Sequence, residues 1–314
     1  MLQFRSRRSR AATLLLPLSL ALSACGGTST ADDDGAGSSP AAEEQAFPVT
    51  VTGDDGELTL DEQPEAIVSM SASATEMLFA MGAGPQVEAV DQTSNYPEDA
   101  PVTDLSAFTP NAEAIAAYQP DLVVLSDDLN GIVAALDALS IPTLLLGAPD
   151  TLEGSYEQFE TLGAATGHAD DAAKAVQDVQ DRIDAAVESA ADAEGMTVYH
   201  ELDPSYYSAS SSTFIGGIYE LFGLENIADE APGAETGYPQ LSAEYVVGAA
   251  PDLIVLADTI CCDQSADAVA QRPAFDTVPA VQEGRVLEGN DDIASRWGPR
   301  VADFAESVAE TLNG

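Results

Sequence analysis

Residues 111–128 read NAEAIAAYQPDLVVLSDD, and residues 242–259 read SAEYVVGAAPDLIVLADT; aligned without gaps at an offset of 131, they agree at eight of eighteen positions. Each unit parses the same way. A capping residue, Asn111 or Ser242, opens a short helix. Pro120 or Pro251 ends it, because proline has no N–H to donate and clashes with the preceding turn. The apolar runs Asp121–Leu125 and Asp252–Leu256 follow. Such runs have no polar alternation, which predicts parallel strands covered on both faces. A duplicated helix–strand unit predicts two lobes of one architecture.

The flanking sequence extends the pattern. In the first half AIVSM (66–70) predicts a strand, TEMLFAMG (75–82) its helix, and VEAVD (87–91) a second strand. GIVAALDALSIP (131–142) predicts a helix and TLLLG (143–147) a returning strand. The second half opens with the strand MTVYHEL (196–202) and the helix FIGGIYELFG (214–223), and closes with the strand GRVLEG (284–289) and a helix near Trp297–Leu312. VTVTGDDGELTL (49–60) predicts a leading hairpin that turns around Asp55-Gly56. Asp170 to Ala193 contains neither Gly nor Pro, carries Ala173, Val176, Val179, Ile183 and Val187 at helical spacing, and is stopped by Gly195. A helix of that length spans roughly 36 Å. The expected fold is therefore α/β: two lobes with mainly parallel sheets joined by one long interlobe helix, with a ligand cleft between them.

The first residues expect a different fate. Arg5, Arg7, Arg8 and Arg10 precede the short apolar run Ala11–Leu22 and the small-residue pattern Leu22-Ser23-Ala24-Cys25. This resembles a bacterial lipobox, which implies cleavage before Cys25 and lipidation of its thiol. Gly, Ser, Thr, Ala, Asp and Glu dominate residues 26–46, a composition that buries too little apolar surface to offset its ordering entropy. As a flexible tether it would reach roughly 25 Å. The expected organisation is signal peptide 1–24, lipidated Cys25 with tether 25–46, N-terminal lobe 47–168, bridging helix 169–194 and C-terminal lobe 195–314.

Charge and cysteine content exclude several functions. The chain carries 54 acidic residues against 10 basic ones, for a net charge of −44. Such a surface repels nucleic acid and anionic lipid headgroups; adaptation to a saline exterior, where counterions screen the repulsion, and a general compositional drift toward Ala, Asp and Glu are both open readings of it. Cys261 and Cys262 are neighbours and cannot staple distant segments; they are open either to forming a ring between adjacent residues or to remaining thiols. The only histidines, His168 and His200, lie far from them, so no metal-ligating cluster and no cofactor is expected. The sequence also lacks a G-x-S-x-G elbow, an HExxH motif and any Ser/His/Asp arrangement supported by spacing, which argues against an exported enzyme.

SMSASATEMLFAMG (69–82), SNYPEDAP (94–101), PNAEAIAAYQPDLVVL (110–125), YPQLSAEYVVGAAPDLIVL (238–256) and DDIASRWGPRVADF (291–304) carry a family resemblance. In this order, behind a lipobox and around a central helix, the chain resembles solute-binding lipoproteins of the ferric-siderophore and cobalamin family, which serve ABC importers. The resemblance implies a monomer tethered to the outer face of the cytoplasmic membrane that delivers a metal chelate to a permease dimer with its ATPase. It also implies that Glu113 and Glu244, equivalent in the repeat, dock against basic permease residues. An acid in a helix's first turn is equally stabilised by the helix dipole.

Candidate cleft residues follow from chemistry and from the resemblance. Arg296 and Arg300 flank Trp297 between a strand end and a helix start, where open α/β sheets bind ligands. Arginine offers bidentate contacts to oxyanions and tryptophan a flat face, a combination suited to an anionic, catecholate-like ligand; packing of Trp297 in the core and pairing of Arg300 with Asp303 is the alternative. Ser71 and Ser73 precede a helix, as ligand donors or as plain caps. Tyr96, Tyr206, Tyr207 and Tyr238 fall in loops the family uses for its cleft, and Phe108 lies near the aromatic contact of several relatives. The expected cargo is a ferric siderophore whose iron is ligated by the siderophore. ADTICCDQSADAVAQRP (257–273) together with DDIASRWGPR resembles lipoproteins described as ferric-citrate or siderophore binders. Cobalamin or haem on the same fold, or a sensor without transport, are the alternatives.

Overall fold

The structure is a computed structural model that describes residues 46–314. Cys25, the leader and the tether up to residue 45 lie outside the described residues.

The chain opens with the antiparallel hairpin β1 (Val49–Gly53) and β2 (Gly56–Leu60). It continues through β3 (Ile67–Met70), α1 (Ala72–Ala80), β4 (Val87–Val90), α2 (Ala112–Ala116), β5 (Leu122–Leu125), α3 (Ile132–Asp137), β6 (Thr143–Leu145) and α4 (Leu152–Thr166). Helix α5 (Ala169–Ser189) follows. The second lobe contains β7 (Thr197–Glu201), α6 (Phe214–Leu221), β8 (Glu225–Asn226), α7 (Ala243–Ala249), β9 (Leu253–Leu256), α8 (Thr259–Cys262), α9 (Ala266–Ala270), α10 (Pro279–Gln282), β10 (Val286–Glu288), α11 (Asp291–Ala294) and α12 (Val301–Asn313).

The two sheets have one topology. The first runs β4-β3-β5-β6 and the second β8-β7-β9-β10, all parallel. The duplicated sequence unit becomes α2–β5 in one lobe and α7–β9 in the other. Asn111 Oδ1 accepts from Ala114 N at 2.8 Å and Ser242 Oγ from Tyr245 N at 3.2 Å, so both caps form. The repeated aspartate has a shared purpose: Asp121 accepts from the backbone N–H of Glu65 and Ala66, just ahead of β3, and Asp252 accepts from Thr197 N at the start of β7. Each thus fixes the register of its lobe's two central strands. Every residue of β3, β5 and β9 is buried, as continuous apolar runs require.

Helix α5 is shorter than its sequence suggests. It ends at Ser189, and a 3₁₀ turn over Ala191–Ala193 precedes Gly195. Its length is about 32 Å. The apolar stripe Ala172, Val176, Val179, Ile183 and Ala186 is buried against α4 and α12. Gly163 on α4 permits the close crossing, since a Cβ there would lie 2.4 Å from the Cβ of Ala172. Arg182 of α5 holds Asp303 and Glu306 of α12. The C-terminal helix begins later than expected, at Val301, because Asp291–Ala294 forms its own turn of helix and Trp297–Arg300 passes between the two.

Candidate functional site

The carboxyl ends of both sheets face one another, and an interlobe cavity of about 370 Å³ opens there. Ala148–Asp150 after β6 line one wall; Leu202 after β7, Thr213–Ile215 at the start of α6, Glu235–Tyr238 and Ser295 with Trp297 line the rest. The aromatic faces are Phe214, Tyr238 and Trp297, and the charged groups are Asp150 and Glu235. The cavity therefore offers apolar area, hydroxyls and negative charge.

Trp297 is half-buried and anchored at three points to the first lobe. Its backbone N–H donates to Ser73 Oγ at 3.3 Å, its carbonyl accepts from Ser155 Oγ, and its indole Nε1 donates to Gln158 Oε1 at 2.9 Å. Tyr238 is exposed and lines the same cavity. Tyr207, also exposed, lies outside the lining and forms a backbone bridge with Gln240. Tyr206 adopts a left-handed backbone (φ 69°) and stacks on Phe275, with the Arg272 guanidinium 5.4 Å from its ring centre. Phe108 is exposed and lies outside the cavity lining. Ser71 and Ser73 are buried; Ser71 caps α1 by accepting from Ala74 N at 3.3 Å, so its oxygen is already occupied.

Neither Arg296 nor Arg300, expected to present guanidinium groups to an anionic ligand, is among the residues that line this cavity. Both close on Glu76 of α1, whose side chain is fully buried. Arg296 Nη1 donates to Glu76 Oε1 at 3.0 Å and to Asn95 Oδ1 at 3.0 Å; its Nη2 donates to the Thr93 carbonyl at 2.7 Å and to Asp292 at 2.9 Å. Arg300 donates to the two oxygens of Glu76 from Nε at 3.0 Å and Nη2 at 2.6 Å, and lies 4.3 Å over the Tyr96 ring. Its partner is thus Glu76 rather than Asp303. This knot, with Asn95 Nδ2 donating to Asp292 at 2.7 Å, ties the segment leaving β10 to the first lobe.

The second lobe holds a comparable knot. Arg272 makes a two-pronged pair with the buried Glu201, at 2.6 and 2.5 Å, and donates to Gln264. Beside it, Asp258 is fully buried, and neither of its oxygens has a hydrogen-bond partner. Burial first, and then the Glu201 charge, push its carboxyl up to about 7. His200 is buried on the same strand as Glu201, with Nδ1 2.6 Å from Tyr219 Oη, and burial lowers its pKa to about 4.

Among the described residues all six basic side chains are ion-paired: Lys174 to Asp171, Arg182 to Asp303 and Glu306, Arg272 to Glu201, Arg285 to Glu283 and Asp252, and Arg296 and Arg300 to Glu76. No group of His, Cys, Asp and Glu that could hold a metal ion occurs among the described residues. Glu113 and Glu244 sit exposed in the first turns of α2 and α7 without a basic partner. Cys261 and Cys262 form a disulfide in α8.

The family model for periplasmic binding proteins matches residues 67–293. The chain belongs to the periplasmic binding protein family. Within this family it is 30% identical over 279 residues to a cobalamin-binding protein of Halobacterium salinarum, covering 85% of this chain and 75% of the relative. It is 28% identical over 283 residues to an uncharacterized ABC transporter substrate-binding lipoprotein of Bacillus subtilis, covering 85% and 86% of the two chains. Among solved periplasmic binding proteins, the vitamin B12-binding protein of Vibrio cholerae superposes with a TM-score of 0.66 at 25% identity, over 80% of this chain and 97% of that one. A haem-binding protein of Roseiflexus superposes with a TM-score of 0.68 at 23% identity, over 79% and 97%. The two-lobed α/β fold with its bridging helix is that of the family.

Proposed function

We propose that this chain is the extracytoplasmic solute-binding component of an ABC importer, held at the membrane by a lipid on Cys25, and that its cargo is a corrinoid, an uncharged or cationic metal chelate. The observation that carries the choice of cargo is the pairing of every basic side chain among the described residues, while the cavity presents Trp297, Tyr238 and Phe214 beside Asp150 and Glu235. An anionic ferric chelate entering this cleft would meet carboxylates and no free cation, and like charges at short range in a partly dry site oppose binding. A large, flat, uncharged ring system would gain from the aromatic faces of Phe214, Tyr238 and Trp297. The cavity encloses one part of such a ligand, and the open mouth leaves room for the remainder. The cobalamin-binding relative in Halobacterium supports the same cargo.

The chelate carries its own metal ligands, so the protein needs none. Glu113 and Glu244 occupy equivalent exposed positions in the repeat, one per lobe. A permease of two similar subunits would meet one acid on each, and the lipid and tether would keep the receptor near it at high effective concentration. Trp297 is the chain's only tryptophan, so its fluorescence reports on the cleft wall. Titration of the protein with cyanocobalamin, haem, ferric citrate, a ferric hydroxamate and a ferric catecholate tests the reading. Saturable quenching by cyanocobalamin is expected; saturation by a ferric siderophore with no response to cyanocobalamin overturns it.

A further inference from the structure

Cys261 and Cys262 close a bridge between neighbouring residues. A link of this kind closes no loop of chain, so it gives none of the loop-entropy stabilisation of an ordinary disulfide. Its effect is local, and its place in the fold gives that effect a target. Helix α8 is the first turn after β9, on the same carboxyl edge of the sheet from which Leu202 reaches the interlobe cavity. Cys261 is exposed, Cys262 half-buried, and the neighbouring Ile260 is 63% exposed.

Helix α8 is bound to α11. The backbone N–H groups of Ile260 and Cys261 donate to the Asp291 carboxylate at 3.0 and 2.7 Å, and the Thr259 hydroxyl donates to the Gly289 carbonyl at 2.6 Å. The next residue, Asp292, accepts from Asn95 and from Arg296, the guanidinium that reaches Glu76. Asp258, with its unpartnered carboxyl, directly precedes α8. The adjacent-residue ring thus lies in a four-residue turn that Asp291 holds beside the interlobe knot.

We propose that the Cys261–Cys262 bridge is a thiol–disulfide exchange site, open to a dithiol reductant outside the cell, whose redox state sets how firmly α8 is held on α11. A thiolate of the reductant attacks Sγ of Cys261, the exposed residue of the pair; the S–S bond breaks and Cys262 leaves as a thiolate that takes a proton from water. The second thiol of the reductant then attacks the mixed disulfide. Cys261 is released, and the reductant departs as its own disulfide, having given up two electrons. With the ring open, the backbone at residues 261–262 regains its torsional freedom, and the amides held by Asp291 are no longer fixed in place.

The test uses the purified full-length chain, before and after dithiothreitol, with iodoacetamide labelling mapped to peptides and amide hydrogen exchange followed in parallel. Expected is no label on Cys261 or Cys262 before reduction and label on both after it. The peptide spanning residues 258–264 should exchange at least about tenfold faster in the reduced form, with α12 unchanged. The Cys261→Ser variant, which cannot form the bridge, should match the reduced protein and ignore dithiothreitol. Labelling of both cysteines without reductant, or equal exchange in the two redox states, would overturn the proposal. The readout needs no cargo, so its outcome is independent of the corrinoid reading.

Discussion

Glu76 is the residue on which two arginines of the closing segment converge, and replacing it with glutamine tests the interlobe knot. Its carboxylate is fully buried, and the guanidinium side chains of Arg296 and Arg300 are 8% and 12% exposed. Glu76→Gln preserves volume but removes the charge. Arg296 then retains Asp292, whereas Arg300 loses its only carboxylate partner. Removing one member of a buried pair and stranding its partner costs about 3–5 kcal/mol. In a chain of this size each kcal/mol lowers Tm by about 2–4 °C, so the midpoint should fall by about 10 °C. The assay is thermal denaturation followed by circular dichroism, with Asp171→Asn alongside; that residue belongs to an exposed pair with Lys174 and should leave Tm unchanged. Trp297 fluorescence should also shift to the red, because its backbone lies between Arg296 and the Gly298 that packs on Glu76. A fall of less than about 3 °C would refute the knot as a structural device.

Other consequences are equally direct. Asp258 holds its proton up to about pH 7 in the folded chain and to about 3.8 when unfolded, so the wild type loses stability as pH rises between these values; Asp258→Asn should be more stable by a few kcal/mol at pH 8 in urea denaturation, with the margin vanishing below pH 4. Glu113→Gln with Glu244→Gln should abolish cargo uptake by cells while leaving the Kd unchanged, since both residues are exposed and neither lines the cavity. Gly163→Ala puts a Cβ 2.4 Å from that of Ala172 and should part α4 from α5 at a cost of about 1–3 kcal/mol, measured by the same denaturation.

The fold was legible because its signals are local and repeated. The caps at Asn111 and Ser242, the stops at Pro120 and Pro251 and the apolar runs after them are all short-range features, and they become α2–β5 and α7–β9. Helix α4 escaped the sequence reading although Tyr156, Phe159, Leu162 and Ala165 recur at helical spacing and are buried; Gly154 and Gly163 dilute the pattern. The site was less legible. Trp297 and Tyr238 do reach the cavity. The fate of the arginines depends on Glu76, more than two hundred residues away, and nothing local distinguishes that acid from the 53 others. Its one sequence signal is a carboxylate set within the apolar helix ATEMLFAM, where charge is costly unless paired. Asp258 and Glu201 were hidden by the same abundance of acids. The cysteine bridge depended on geometry, since adjacency alone permits either state.

In the proposed function the acidic character of the chain extends to what the cleft accepts. Among the described residues every arginine is paired with a carboxylate, so the proposed selectivity rests on aromatic area and on the exclusion of anions. Calorimetric titration of the full-length chain with cyanocobalamin and with ferric citrate, side by side, tests this most directly. One-to-one binding of cyanocobalamin with no heat from ferric citrate is the predicted result; saturable binding of the citrate complex with none of cyanocobalamin would contradict the account.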